Sequence, residues 1–216
     1  MGRPRTPVLS RDGIHAAALQ VIDSDGLAGL SMRKLAAALG VQAASLYSHV
    51  SSKEELLHEV ANGITAKADV SAFATGDWQV GVRTWARSYR AALAEHPNIV
   101  PFLAYGPQRR EAALRMADAV HGGLVAAGWP AKYATMIGAA TKYLVVGAAI
   151  SSFSRGFEAD VRIYVDRYPN LIEAPALREH ADEIDQGSFE LAVDAFIDGL
   201  DQRFGKLLRG GRTQLT

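Results

Sequence analysis

The segment from Ser31 to Lys53 constrains the fold of this chain most, because its pattern predicts two short helices joined by a tight turn. The Ser31 hydroxyl can cap the first helix by accepting a hydrogen bond from a free backbone N–H of its first turn. Gly40 suits the left-handed residue that commonly ends a helix, and residues 42–50 provide about two further helical turns. Apolar residues recur at helical spacing on one face, at Met32, Leu35, Ala36 and Leu39.

Positive charge is concentrated near this segment, whereas the formal net charge of the 216 residues is zero. A general polyanion binder would be basic throughout, so a nucleic-acid role must depend on local charge. Arg3, Arg5 and Arg11 precede the first acid, and the segment itself holds no acid. The outward residues of its second helix are hydrogen-bonding groups that suit base edges and phosphates, namely Gln42, Ser45, Tyr47, Ser48 and His49. We therefore expect a DNA-binding helix-turn-helix, with Leu46 and Val50 pointing back at its first helix.

Helical periodicity continues along the rest of the chain and strand-like alternation is scarce, so we expect an all-α protein. A first helix capped by Ser10 is expected to end at Gly26. The helix after the hairpin can begin at Ser51 or at Ser52, because each serine has a glutamate three residues on. This helix is expected to reach about Val70 and to connect two domains.

These domains are a three-helix helix-turn-helix domain over residues 1–55, with a basic arm over 1–9, and a larger helical bundle over 56–216. Residues 155–187 are charged and contain two prolines, so they predict a long connection with short helical pieces. The last helix is expected to start near Ser188, and the tail after residue 208 is expected to be frayed.

The composition favours a cytoplasmic protein. The chain contains no cysteine, which excludes disulfides and thiolate metal sites and fits a reducing compartment. Its first residues lack the apolar core of a signal peptide. The stretch Tyr133 to Phe153 is almost wholly apolar, but Lys142 near its middle would be costly in lipid. We expect this stretch to be a helix buried inside a bundle or a dimer, with no membrane partner.

The hairpin resembles the DNA-binding domain of the TetR family of transcriptional repressors. The resemblance covers about residues 10 to 60 and rests on Leu-Ala-Ala-Ala-Leu-Gly-Val from Leu35, Ser-Leu-Tyr-Ser-His-Val from Ser45 and Ser-Lys-Glu-Glu-Leu-Leu from Ser52. It implies that this protein is a homodimer whose two recognition helices enter successive major grooves of a pseudo-palindromic operator.

The resemblance also assigns roles to single residues. Tyr47 and His49 match an aromatic pair that packs on DNA, and Lys53 matches a phosphate anchor at a helix start. Arg33 matches an arginine that reaches bases or supports residues that do. Gln42, Ala43 and Ser45 lie where family members vary to read sequence. Arg3 and Arg5 could enter an adjacent minor groove or belong to a merely disordered tail.

The second half resembles, more weakly, the C-terminal domain of the tetracycline-repressor subgroup, in the stretches Trp78 to Pro97 and Phe189 to Leu200. That resemblance implies a domain that makes the dimer and binds an effector. Tetracycline itself fits poorly, because a metal-binding histidine of the tetracycline sensor aligns near Phe102, which cannot bind Mg²⁺. The partner-subunit carboxylate aligns near Ser151 or Ser152. We therefore expect a hydrophobic or aromatic effector, with no metal and no cofactor.

Two residue sets follow for this half of the chain. Aromatic and polar side chains that could line an effector pocket are Trp85, Tyr89, Phe102, Tyr105, Met116, Asp118, His121, Trp129, Met136 and Tyr143. Residues that could form a four-helix dimer interface are Gly138 and Gly147 with Val193, Phe196, Ile197 and Leu200. For both sets the alternative is ordinary packing within the core of one chain.

No catalytic constellation is visible, so we expect a regulator and not an enzyme. The run from His58 begins like a zinc protease motif, but Asn62 stands where the second histidine must be. The alternative is a helical enzyme or small-molecule-binding protein with an incidental helix-turn-helix. A regulator without a ligand, or an activator, also stays open at this point.

Overall fold

A computed structural model describes residues 9–105, 110–150, 152, 154–165 and 167–212. These residues form helices and turns without a strand, which confirms the all-α prediction. The α-helices are α1 (Arg11–Gly29), α2 (Met32–Ala38), α3 (Ala43–Leu46), α4 (Lys53–Thr65), α5 (Trp78–Ala94), α6 (Val100–Tyr105), α7 (Glu111–Ala126), α8 (Ala131–Ile150), α9 (Arg162–Val165), α10 (Ala174–Glu179) and α11 (Ala181–Arg212). Short 3₁₀ turns lie at Ser71–Thr75, Pro97–Ile99, Ser154–Gly156 and Pro169–Leu171.

The described residues form two compact units. The first unit contains the residues up to Lys67 together with those of Ala92–Arg115, and the second unit contains Ala68–Ala91 and the residues from Met116 onward. The chain therefore returns to the first unit after leaving it. The predicted domain boundary between residues 55 and 56 falls inside α4.

Serine caps define where α1, α2 and α4 of the first unit begin. The predicted caps at Ser10 and Ser31 are confirmed, and Ser52 caps α4. Their hydroxyls accept hydrogen bonds from the backbone N–H groups of Gly13, Lys34 and Glu55 over 3.1, 3.2 and 3.0 Å. The Glu55 carboxylate in turn accepts the Ser51 N–H at 2.6 Å. The cap residue of α4 is therefore Ser52 and not Ser51, and the Glu55 side chain bonds the residue before the cap.

Two helix ends differ in part from the prediction. Gly26 interrupts α1, as expected, with φ of 72°, but a further short turn continues to Gly29. The helix α4 ends at Thr65, short of the predicted end near Val70, and lies wholly in the first unit.

Residues after α5 attach to α1 through Asn98 and His96. The Asn98 amide donates to the carbonyl oxygens of Ile22 and Asp23 at 3.0 and 2.9 Å. These carbonyls lie just before the interruption at Gly26, where a helix loses its own N–H partners. The His96 ring nitrogen Nδ1 lies 2.8 Å from the Asp23 carboxylate. A side chain distant in sequence therefore caps the regular part of α1.

The core of the second unit is built around aromatic rings. A Cβ at Gly81 would lie 2.7 Å from the Phe73 ring, and a Cβ at Gly123 would lie 2.5 Å from the Phe73 Cβ. Only glycine allows this close approach on both sides. The Phe73 ring meets Trp85 edge-on with centroids 6.4 Å apart. The Trp129 ring packs against Trp78, Tyr133 and Phe204 with centroids 5.3, 6.0 and 4.7 Å away.

A row of polar pairs joins α5 to α11 in the second unit. The pairs are Gln79 with Asp201, Arg83 with Asp194, Arg87 with Glu190, and Arg90 with Gln186. The Arg87 guanidinium is bidentate, with Nε lying 3.2 Å from Oε1 and Nη2 lying 2.7 Å from Oε2 of Glu190. Because the partners run in opposite order along the two helices, α5 and α11 are antiparallel.

The helix α8 packs on its own chain through one face. Its buried residues are Ala134, Ile137, Thr141, Val145 and Ala149. On other faces Met136, Tyr143 and Ile150 are 54, 75 and 50% exposed. By length and composition α8 could cross a membrane. Within the single chain, one face of α8 is therefore buried as predicted, whereas Met136, Tyr143 and Ile150 stay exposed.

The last helix is longer than predicted at both ends. It begins at Ala181, which is buried, and Asp182 and Glu183 occupy its first turn, where negative charge is favourable. It continues to Arg212, through residues expected to be frayed. The predicted short helical pieces before it are confirmed as α9, α10 and two 3₁₀ turns.

Candidate DNA-binding surface and effector region

The recognition helix α3 is shorter than predicted, because residues 47–49 form a turn instead of a second helical turn. Leu46 and Val50 are 0 and 1% exposed, which confirms that both point into the domain. A helix of one turn has little hydrogen-bonded structure of its own to stabilise it. Its orientation therefore depends on the contacts around it.

The predicted DNA-contacting residues differ in exposure. Arg33, Gln42, Ser45 and Tyr47 are exposed, whereas Ala43, His49 and Lys53 are half-buried. The flat Tyr47 ring is 54% exposed beside α3, so it can reach a surface laid against this helix. Arg3 and Arg5 lie outside the described residues.

Two cations of the segment also make contacts within the chain. The Lys53 ammonium donates to the carbonyl oxygen of Leu27 at 3.2 Å, just after the interruption in α1. The Lys34 ammonium lies 2.8 Å from the Asp25 carboxylate. This lysine and the Ser24 hydroxyl hold the pKa of Asp25 below its ordinary value. Lys53 therefore ties the start of α4 to the end of α1, besides its predicted role at DNA.

Arg11 joins three elements of the first unit. Its Nη1 lies 2.8 Å from Oε1 of Glu59 on α4, and its Nη2 donates to the carbonyl oxygen of His49 at 2.9 Å. The second carboxylate oxygen of Glu59 lies 2.7 Å from Nε2 of His15. From the sequence Arg11 appears only as one more cation near the N-terminus, because nothing in the pattern indicates partners so far along the chain.

The run that begins like a zinc protease motif makes structural contacts instead. His58 accepts a hydrogen bond at Nδ1 from Nε of the buried Arg110 at 3.2 Å. Phe102 lies against both groups, with its ring centroid 5.1 Å from the His58 ring and 5.0 Å from the Arg110 guanidinium. The Asn62 side-chain oxygen accepts the N–H of Ala112 at 2.8 Å. Within the described residues, no group of three or more His, Asp or Glu side chains could hold a metal ion.

These side chains surround a cleft of about 680 Å³ in the first unit. Its lining mixes positive and negative groups, namely Arg11, His15, Glu55, His58, Glu59, Asn62, Gly63, Arg110 and Glu111. Because two arginines and three glutamates line the cleft, it carries no strong charge of either sign. The sequence did not indicate this cleft.

Some of the predicted effector residues are buried and others are exposed. Trp85, Tyr89, Met116 and Trp129 are buried in the second unit, and His121 is half-buried there. Asp118, Met136 and Tyr143 are exposed, so they do not line the interior of the single chain. Phe102 is half-buried in the first unit, and the side chain of Tyr105 lies outside the described residues. Among the described residues, the buried indole N–H groups of Trp85 and Trp129 have no hydrogen-bond partner.

The predicted dimer residues also differ in their exposure. Val193 and Ile197 are 1 and 3% exposed, because they pack inside their own chain, and this burial removes them from any surface open to a partner. Phe196 and Leu200 border a shallow groove of about 250 Å³ along α8 and α11. Gly147 is exposed and borders a neighbouring groove of about 370 Å³, while Gly138 is half-buried. Leu191, which the sequence analysis did not single out, is 71% exposed on α11.

A helix-turn-helix followed by a helical domain, as the described residues form, is typical of DNA-binding regulators. Two family models match this chain. Residues 14–60 match the model described as bacterial regulatory proteins of the tetR family. Residues 72–204 match the tetracyclin repressor-like C-terminal domain.

Individual relatives agree with these matches. An HTH-type transcriptional regulator of Saccharopolyspora erythraea is 31% identical over 142 residues, which are 66% of this chain and 60% of that protein. The class A tetracycline repressor from transposon 1721 of Escherichia coli is 31% identical over 201 residues, 90% of this chain and 92% of the repressor. The crystal structure of the Streptomyces coelicolor TetR family protein ActR with actinorhodin has a TM-score of 0.69 and 28% identity, covering 89% of this chain and 96% of ActR.

The chain therefore belongs to the tetR family of bacterial regulatory proteins. The resemblance read from the hairpin is confirmed, together with the order of an N-terminal helix-turn-helix and a helical C-terminal domain.

Proposed function

We propose that this protein is a homodimeric, cytoplasmic transcriptional repressor that an aromatic effector releases from a pseudo-palindromic operator. The observation that supports DNA binding most directly is the exposed group Arg33, Gln42, Ser45 and Tyr47 around a buried Leu46. Arginine and glutamine can read base edges in the major groove, and hydroxyls can bind phosphates. Ala43 and the neighbouring Ala44 offer only methyl contacts, so DNA shape contributes to specificity.

A homodimer is supported by the exposed apolar face of α8 and α11. Met136 and Tyr143 are each more than half exposed and border the two grooves between these helices, and Leu191 is 71% exposed on α11. Contiguous exposed apolar surface of this kind marks an interaction site. A second copy that placed the same two helices against these grooves would form a four-helix interface with two-fold symmetry.

An aromatic effector with hydrogen-bond acceptors is supported by the interior of the second unit. A buried N–H without a partner is unfavourable, and the indoles of Trp85 and Trp129 both leave such a donor. Trp85 and Tyr89 are one helical turn apart on α5, so their buried side chains share a face. A bound ring system with carbonyl or hydroxyl oxygens would satisfy the donors. At Phe102, the contacts with His58 and Arg110 offer no set of metal ligands.

DNA binding is tested by letting the protein select duplexes from a random pool, followed by titration at several salt concentrations. We expect one pseudo-palindromic duplex to be enriched and its affinity to fall steeply with salt, because phosphate contacts release counterions. Tyr47→Ala should lower this affinity at least about tenfold. Tyr168→Ala, a tyrosine 50% exposed in the second unit, is the matched control. Failure to enrich any duplex would contradict the proposal.

The dimer and the effector have separate tests. Sedimentation should show a dimer that Tyr143→Asp dissociates and that Val80→Asp, at a residue 47% exposed on α5, leaves intact. The selected duplex is then challenged with aromatic compounds in EDTA, beginning with actinorhodin, the ligand of the ActR structure. Release by an aromatic compound under these conditions is expected. Release that requires Mg²⁺ would contradict a metal-free effector site.

A further inference from the structure

We infer that Arg11 is a positioning residue, which holds the turn after the recognition helix against α1 and α4 and does not bind a DNA phosphate. This inference rests on the proposed DNA-binding function. Arg11 lies at the first position of α1, next to the basic arm, where its charge alone would indicate a phosphate contact. Its guanidinium is instead bound to two groups of its own chain.

The two bonds of Arg11 use different edges of one rigid plane. Nη1 meets the Glu59 carboxylate at 2.8 Å and Nη2 meets the His49 carbonyl oxygen at 2.9 Å. The Arg11 side chain is 58% exposed, so these bonds add little to the free energy of unfolding. Because the guanidinium is planar and its donors are fixed in direction, the two bonds together still restrain the distance and angle between α4 and the turn. A lysine has one ammonium on a flexible stem and cannot reproduce this geometry.

The position of the His49 carbonyl explains why the contact matters for recognition. The N–H groups of His49 and Val50 both bond the Leu46 carbonyl oxygen, at 2.9 and 3.0 Å, so this turn continues directly from α3. On its apolar side the turn is held by the burial of Val50. On its polar side the Ser48 hydroxyl donates to the Ser45 carbonyl oxygen at 2.8 Å, and Arg11 supplies a contact from another helix. A four-residue helix cannot orient itself, so this bond helps to set the direction in which Tyr47 points.

Glu59 is the second half of the same arrangement. Its side chain is 22% exposed and its two oxygens bind Arg11 and His15, which both belong to α1. An acid near a DNA-binding surface opposes DNA through charge. A purely electrostatic role of Glu59 predicts that its removal raises DNA affinity. Its positioning role predicts that removal lowers DNA affinity, because loss of Glu59 releases Arg11 from α4. The sign of the effect therefore distinguishes the two roles.

The test measures affinity for the duplex selected by the unaltered protein, across a salt series. Arg11→Lys keeps the charge, and Glu59→Gln removes a negative charge, yet we expect each to lower affinity about tenfold with an unchanged salt slope. Glu54→Gln, at a side chain 83% exposed on the same helix, is the control and should bind equally or more tightly. Affinity for an unselected duplex of the same length should stay unchanged in Arg11→Lys and should not fall in Glu59→Gln or Glu54→Gln, because removing an acid favours non-specific binding.

Three results of the DNA titrations would overturn the inference. They are native affinity for Arg11→Lys, equal or tighter binding for Glu59→Gln, and a salt slope reduced by about one in Arg11→Gln, as expected for a lost phosphate contact. Hydrogen exchange provides a readout without DNA. Arg11→Lys should speed exchange of the His49 and Val50 amides, and unchanged exchange would overturn the inference even if no duplex were selected. If no duplex were selected, the proposed DNA-binding function would fail, while the exchange measurement would still test the role of Arg11.

Discussion

The two units of this protein use polar side chains in different ways. In the first unit, side chains bind the backbone at helix ends, as Ser52 does at α4, Asn98 at α1 and Arg11 after α3, in addition to ion pairs such as Lys34 with Asp25. In the second unit, side chains bind each other along the exposed flanks of long helices, as Arg87 and Glu190 do between α5 and α11. Backbone contacts fix where a short helix begins and points. Exposed ion pairs join helices that their apolar faces already hold, and they add little stability.

The largest effect is expected where a short helix depends on one buried side chain. Leu46 is fully buried and belongs to the four-residue α3. Leu46→Ala should lower the free energy of unfolding by about 2–5 kcal/mol, measured by urea denaturation at a fixed protein concentration. The control Leu114→Ala, at a residue 53% exposed in the same unit, should change it by less than about 0.5 kcal/mol. Equal effects would contradict the packing described for α3.

A smaller effect is expected from the cap of α4. Ser52→Ala removes the acceptor of the Glu55 N–H, and the usual cost of losing such a cap is about 0.5–2 kcal/mol. Ser45→Ala is the control, because that exposed serine caps no helix start. Urea denaturation of both variants measures the difference. A Ser52→Ala protein as stable as the native one would show that Lys53 and Glu55 suffice to begin α4.

A still smaller effect is expected from the pairs of the second unit. A double-mutant cycle with Arg87→Ala and Glu190→Ala should give a coupling free energy of about 0–1 kcal/mol, since Arg87 is half exposed. Salt at about 1 M should remove most of this coupling. A coupling well above that of the Ser52 cap would break the contrast between the two units.

The smallest expected effect is a contribution to acid stability. The Ser51 hydroxyl and backbone N–H lower the pKa of Glu55 in the folded protein. A carboxyl with a lowered folded pKa adds stability above its unfolded pKa of about 4.3 and loses it as pH falls through the folded pKa. Glu55→Gln should therefore flatten the loss of stability between about pH 4.5 and 3, while Glu54→Gln should not. Parallel curves for Glu55→Gln and the native protein would contradict the capping contact.

The first unit was the more predictable from sequence, because its signals are local. Ser31, Gly40 and Leu46 each act within a few residues of their position, and the structure places all three as expected. The extent of α3 was overestimated, since the tertiary contacts around His49, and not helix propensity, shape that turn. The roles of Asn98 and Arg11 could not be predicted, because their partners lie 75 and 38 residues away.

The second unit was predictable in its helices and much less in the direction of its side chains. Val193 and Tyr143 both fit an apolar stripe, yet Val193 is buried in its own chain and Tyr143 is 75% exposed. An apolar stripe in a helix indicates that its residues are buried. It does not indicate whether the surface that covers them belongs to the same chain, to a second copy or to a ligand. Trp129 illustrates this, because it packs among Trp78, Tyr133 and Phe204 and yet keeps a buried indole N–H without a hydrogen-bond partner among the described residues.

The Asn98 cap has a consequence for how the protein is made. The carbonyls of Ile22 and Asp23 receive their hydrogen bonds from a side chain that leaves the ribosome only after both the linker and α5 have been synthesised. An N-terminal fragment ending at Lys67 would present these carbonyls to water, together with the α1 surface that the Pro97–Ile99 turn covers. The DNA-binding half is therefore completed late in translation, and a shortened chain made for DNA studies should extend through Arg115.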